Sequence, residues 1–121
     1  MKLYQLKEIL TTLESYGYSQ SQVFGATSGQ PFLWVFREGD RVVLKTALDF
    51  DANDLRTYAE QYYISGKSPY ANDEEFAEHL MESGISQDLV REALGETWSA
   101  LYFRIVSKRL ERKVHPITEG G

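Results

Sequence analysis

The chain has no cysteine, only two histidines and only three prolines in 121 residues, and each shortage closes off a class of function. Without cysteine there are no disulfides, no thiolate metal sites and no thiol nucleophile, a usage that suits a reducing, cytoplasmic setting. Of the histidines, His79 and His115, the second stands in the C-terminal stretch "HPITEGG", so no paired-histidine zinc motif can form. Nothing approaches the ~20 consecutive apolar residues that span a bilayer, and the opening "MKLYQLKEILTTLESYG" interrupts every apolar pair with polar residues, so neither a membrane span nor a signal peptide is expected. An enzyme built on this chain would have to work with Asp, Glu, Lys, Ser or Tyr alone, and the expectation is therefore a non-enzymatic protein without cofactor or metal.

What is present is enough for a fold. Hydrophobic residues make up 42% and charged residues 26%, outside the disordered range, and the length suits one domain with its own core. The net charge of −5 is unevenly spread: residues 1–48 carry +1, residues 49–96 carry −9 and residues 97–121 carry +3. An acidic block is thus followed by a basic end.

Leu3, Leu6, Leu10 and Leu13 follow one another at steps of three and four, the stripe of an amphipathic helix that Gly17 ends. The runs "QVFGAT", "PFLWVFR" and "RVVLKTAL" then read as a three-stranded antiparallel meander, separated by Ser28-Gly29 and Glu38-Gly39-Asp40. On the third run Arg41, Val43 and Lys45 share one face. The unalternated Phe32 to Phe36, centred on Trp34, suggests a strand covered on both sides or left with one face for a partner.

From residue 52 the pattern is helical. Asp51 or Asn53 can cap a helix with the stripe Leu55, Tyr58, Ala59, Tyr62; Asn72, with Glu75 three residues on, caps a second; Ser86 caps a third, with Ile85 positioned to staple onto Val90. The stripe Val90, Leu94, Trp98, Leu101, Ile105 keeps its phase through Gly95, so one long, central helix over 87–113 is predicted, with Phe103, Val106 and Leu110 widening its apolar surface. The order places the protein in the α+β class: an N-terminal helix, a three-stranded meander, then three helices, in one domain over 1–114 followed by a flexible tail at 115–121.

Four features invite a functional reading. Gly66-Lys67-Ser68 matches the end of a phosphate-binding loop, but Gln61 stands where the first glycine belongs and Pro69 follows where a helix should begin, so a linker is the better reading. "GATSG" at 25–29 has its serine in the wrong place for a nucleophile elbow and is turn chemistry. His79, flanked by Glu75 and Glu82, lacks a third metal ligand.

The acidic helix is the fourth. Asp73, Glu74, Glu75, Glu78 and Glu82 fall within ten residues, and Tyr63 and Tyr70 flank the loop before them. A row of carboxylates on a rigid helix can imitate a phosphate backbone, the device of phage and plasmid anti-defence proteins, and exposed tyrosines are frequent interface anchors. These seven residues form the expected partner-binding surface, with a basic protein as partner, of the nucleic-acid-handling kind that an anti-defence inhibitor targets. The alternative is a nucleic-acid-binding module that uses Arg104, Lys108, Arg109 and Arg112 of the last helix, near Lys113, together with Arg37, Arg41 and Lys45 of the hairpin. A third use of the basic strip is internal, facing the chain's own acidic block. A homodimer is left open by the long apolar helix and the Phe32 to Phe36 run.

Overall fold

The computed structural model describes residues 1–114; the expected C-terminal tail lies outside them. The chain divides into two compact units, residues Met1–Thr46 and the chain from Ala47 on. Helix and strand are mixed, so the α+β class holds.

In the first unit, α1 spans Leu3–Ser15 and starts after Lys2, whose backbone N–H donates to Gln5 Oε1 at 2.8 Å. None of its residues is buried. Strands β1 (Phe32–Glu38) and β2 (Arg41–Thr46) form an antiparallel hairpin, turned at Gly39 with φ of 66°. The register sets Val35 opposite Leu44 and Arg37 opposite Val42 on one face, and Trp34, Phe36 and Glu38 opposite Lys45, Val43 and Arg41 on the other. A bulge between Phe32 and Trp34 shifts Leu33 out of the ladder.

The meander has two strands, not three. "QVFGAT" makes a single bridge, Phe24 with Pro31, formed by Gly25 N–H on the Gln30 carbonyl at 2.9 Å and Phe32 N–H on the Val23 carbonyl at 2.8 Å; a tight turn closed by Gly29 N–H on the Gly25 carbonyl at 2.9 Å ends the pairing on that side. Proline at 31 also has no N–H to donate.

The second unit opens with a 3-10 turn, Ala47–Asp49, and then α2, Ala52–Tyr58. Asp51 caps α2 in a reciprocal box: its carboxylate accepts from Asp54 N–H at 2.8 Å, and Asp54 accepts from Asp51 N–H at 3.0 Å. The helix does not stop at Tyr58 but widens into a π-helical turn, Ala59–Ile64, with Ser65 N–H donating to Glu60 O five residues back. Helix α3 (Asp73–Glu82) is capped by Asn72, and α4 (Gln87–Leu94) by Ser86, whose side chains accept from Glu75 N–H at 2.9 Å and Leu89 N–H at 3.2 Å. Helix α5 runs Glu96–Val114 and packs against both α3 and α4. The core consists of Leu55, Tyr58, Phe76, Leu80, Ile85, Val90 and Ile105.

The single helix predicted over 87–113 is two. Gly95 takes φ 103° and ψ 179°, a conformation that only glycine adopts at ease, and breaks the rod into α4 and α5. One residue of interruption barely shifts the apolar phase, which is why the stripe reads as continuous; the widened row fares less well, since Phe103 and Leu110 are exposed. The break also lets Tyr102 Oη reach the Ile85 carbonyl at 2.7 Å and Gln87 Nε2 reach Ser99 Oγ at 3.2 Å, tying α5 to the start of α4.

Gly95→Ala distinguishes the two arrangements. It should destabilise the protein by about 1–3 kcal/mol, measured as a lower urea midpoint at unchanged slope, whereas in an unbroken helix the same change would stabilise by about 1 kcal/mol.

Candidate partner-binding face

The acidic helix stands on aromatic rings. Phe76, fully buried on α3, lies 4.4 Å from the Tyr63 ring at an interplanar angle of 3°, and 5.9–6.0 Å from Tyr58, Tyr70, His79 and Trp98. In an α-helix Tyr62 and Tyr63 would point ~100° apart and would not be expected to be buried equally. In the π-turn both reach the cluster: Tyr62 stacks on Tyr58 at 5.1 Å while Tyr63 stacks on Phe76 and meets Trp98 edge-on at 6.1 Å. Sequence reasoning missed the shared cluster because nothing in "AEQYYI" announces an i→i+5 turn.

His79 sits on the inner side of α3. Tyr58 Oη and His79 Nε2 are 2.6 Å apart, and the Tyr70 ring stacks on the imidazole at 4.7 Å. Burial raises the Tyr58 pKa well above the ordinary phenol range, aided by Tyr62 and Tyr70, so Tyr58 keeps its proton; the other imidazole nitrogen, Nδ1, faces Ser83 Oγ at 3.5 Å. Burial lowers the His79 pKa, with Glu82 opposing in part. The histidine is a neutral brace, and among the described residues no three His, Asp or Glu side chains gather into a metal-holding set.

The carboxylates have individual surroundings. Tyr63 Oη donates to Asp73 at 2.5 Å, and its own pKa is pushed up to about 12, first by burial and then by that bond and the nearby charge. Glu75 accepts from the Ala71 N–H at 2.7 Å, closing the loop in front of α3. Glu78 and Glu82 share Arg109 of α5, at 2.6 and 2.7 Å, and Glu74 faces Lys108 at 3.7 Å. The basic strip thus meets the chain's own acidic helix. Arg104 and Arg112 are exposed and form no ion pair among the described residues.

Beside this helix pair lies an open groove of about 1070 Å³, lined by Tyr63, Asp73 and Glu74 on one side and by Ala100, Leu101 and Arg104 on the other. A smaller recess of about 320 Å³, on the side of Glu78 and Glu82, is lined by those two with Tyr70, Glu75 and His79. All seven residues of the expected partner surface therefore line one or other of two depressions along a single helix, and only Arg104 joins them from the basic set. Sequence spacing did not reveal Ala100 and Leu101, since their small and apolar side chains carry no chemical signature.

The hairpin cations are arranged differently. Arg37 projects on the face of Val35, whereas Arg41 and Lys45 project on the opposite one. Lys45 is bonded to Glu38 at 2.9 Å, covers the Phe36 ring at 5.3 Å and leaves 14% of its side chain exposed, too little for a phosphate contact without rearrangement.

Among the described residues no helix is long and apolar enough to cross a membrane. No protein-family model, curated protein or solved structure matches the chain, so the functional reading rests on the chain's own geometry.

Two outcomes test this account. Phe76→Ala should cost about 3–5 kcal/mol of unfolding free energy and abolish the near-ultraviolet circular dichroism of the stacked rings. With His79 lowered below its ordinary value, the unfolded chain takes up the proton first; stability should fall as pH drops through about 6.5, and the Tm-against-pH profile of His79→Gln should be flatter there.

Proposed function

We propose that the protein is a small, non-enzymatic binding protein that works through α3 and the groove beside it, and that its partner is a basic protein surface. The observation that carries this reading is a surplus of charge: α3 carries five carboxylates (Asp73, Glu74, Glu75, Glu78, Glu82), and two cations of α5, Lys108 and Arg109, pair with Glu74, Glu78 and Glu82, leaving a net −3 along the helix. Glu74, Glu78 and Glu82 recur every four residues, ~6 Å along the axis, a line of negative charge fixed by the ring cluster beneath. Such a line stands in for one strand of a nucleic-acid backbone, which makes a nucleic-acid-handling protein of phage or plasmid conflict a suitable target. Tyr70 and Tyr63, held half-buried, add apolar area at low entropic cost.

Arg109 and Lys108 have a defined part in this reading. They occupy the carboxylates when no partner is present and must compete with the partner's cations. Exposed ion pairs of this kind are weak, so exchange costs little. Direct binding of nucleic acid by the same strip is less favoured, because two of its four cations face carboxylates and the hairpin cations point to opposite faces.

Affinity capture with the purified chain should recover a basic protein from the native host, and the Glu75→Lys, Glu78→Lys variant should lose it while melting cooperatively. Arg109→Ala, by removing the internal competitor, should tighten the same complex by about two- to fivefold in a titration at low salt. If the charge-reversal variant retains the partner, the acidic-face reading is wrong; if instead the chain binds heparin and Arg104→Glu with Lys108→Glu abolishes this, nucleic acid is the ligand.

A further inference from the structure

Helix α1 poses a problem unrelated to the acidic face. It has 13 residues, none buried, and helices of that length are marginal in water unless something covers their apolar stripe. Leu3 is 62% exposed, Leu10 43% and Leu13 42%, with Tyr4 at 64% and Ile9 at 45%. The segment after the helix adds Tyr16, Tyr18, Val23 and Phe24, each more than half exposed. At ~200 Å² for a whole aromatic side chain, Tyr16, Tyr18 and Phe24 alone present ~370 Å². The five aliphatic residues bring the patch near the ~800 Å² that each partner contributes to a standard stable interface.

The shape of the patch indicates what covers it. The C-terminal half of α1 borders a groove of about 520 Å³ lined by Leu10, Leu13, Tyr18, Val23 and Phe24. The N-terminal half carries Leu3, on the same stripe, outside that groove, as a projection. A second copy laid antiparallel matches the two halves: with Leu6 of one helix against Leu10 of the other, Leu3 comes level with the partner copy's Leu13, at the mouth of its groove. The two-fold axis repeats the contact, so each projection fills a groove. The same register brings Lys2 of each copy level with Glu14 of the other, opposite charges at both ends, and sets the two helix dipoles head to tail. A parallel pair would leave both grooves empty and place both Lys2 side chains at one end.

We infer that the protein is a homodimer in which the α1 helices of two copies pack antiparallel, the Leu3 side chain of each seated in the Leu10, Leu13, Val23 and Phe24 groove of the other.

Sedimentation equilibrium of the full chain should give twice 13.9 kDa at tens of micromolar. Leu10→Glu changes a residue that is already 43% exposed, so the circular dichroism of the rest of the fold should persist while the dimer dissociation constant rises at least a hundredfold. Lys2→Glu should raise it severalfold, and Lys2→Glu with Glu14→Lys should restore it. Because the chain has no cysteine, mixing Lys2→Cys and Glu14→Cys chains under oxidation reports orientation directly: the mixed 2–14 crosslink should dominate. A monomer at hundreds of micromolar, a dimer indifferent to Leu10→Glu, or a dominant 2–2 crosslink would each overturn the inference.

Discussion

The second unit depends on the Phe76 ring. Its side chain is in contact range of rings from α2, the π-turn, the 65–72 loop, α3 and α5, and it has no exposure. Aromatic pairs in offset or edge-to-face geometry hold direction as well as area, since ring quadrupoles penalise most other orientations. A helix anchored this way cannot roll, and the carboxylates on its outer side inherit that stiffness. Were α3 held by aliphatic contacts alone, its charged face would still be acidic, but the positions of its carboxylates would be less defined.

That arrangement separates two kinds of polar group that look equivalent in composition. His79 and Tyr58 are turned inward, and burial drives both toward their neutral forms, the imidazole by a lowered pKa and the phenol by a raised one. Their mutual hydrogen bond answers the cost of placing two polar groups in a low-dielectric cluster. Asp73, Glu74 and Glu75 are exposed to water, where a charge costs little to keep, and each holds one exposed partner, the Tyr63 hydroxyl, Lys108 and the Ala71 N–H. The same helix thus braces the core with one side and presents charge with the other. The internal ion pairs to Lys108 and Arg109 lie at the boundary, exposed enough to exchange.

Several features were legible in the residues themselves. The caps at Asp51, Asn72 and Ser86 and the α1 stripe follow from local chemistry that acts within three or four residues, and the structure places them where the spacing does. The strand faces of Arg41, Val43 and Lys45 follow from period two alone. The helix break was not legible, because the apolar phase passes over Gly95 almost unchanged and only the backbone angle reveals the interruption. Nor was the lost first strand: "QVFGAT" has strand-forming residues, but the chain folds back at Gly25 after a single bridge, and the period of the residues does not show where pairing stops. Of the candidate site, the acidic and aromatic residues were readable by type, while their division between two depressions was not.

The sequence by itself determined an α+β chain without thiol chemistry, the acidic block at 73–82, the basic strip opposite to it in sign, and a leucine stripe at the N-terminus, because composition and short-range periodicity need no knowledge of what lies far along the chain. Only the tertiary structure decided that Arg109 bridges Glu78 and Glu82, 31 and 27 residues away, that Tyr62 and Tyr63 both serve one ring cluster, and that Lys45 is tied to Glu38 and Phe36. The physical reason is one of range. Caps and stripes are fixed by neighbours a turn away, whereas the state of a charge is fixed by whichever opposite charge, ring or water packing brings against it, and that is settled only when helices meet.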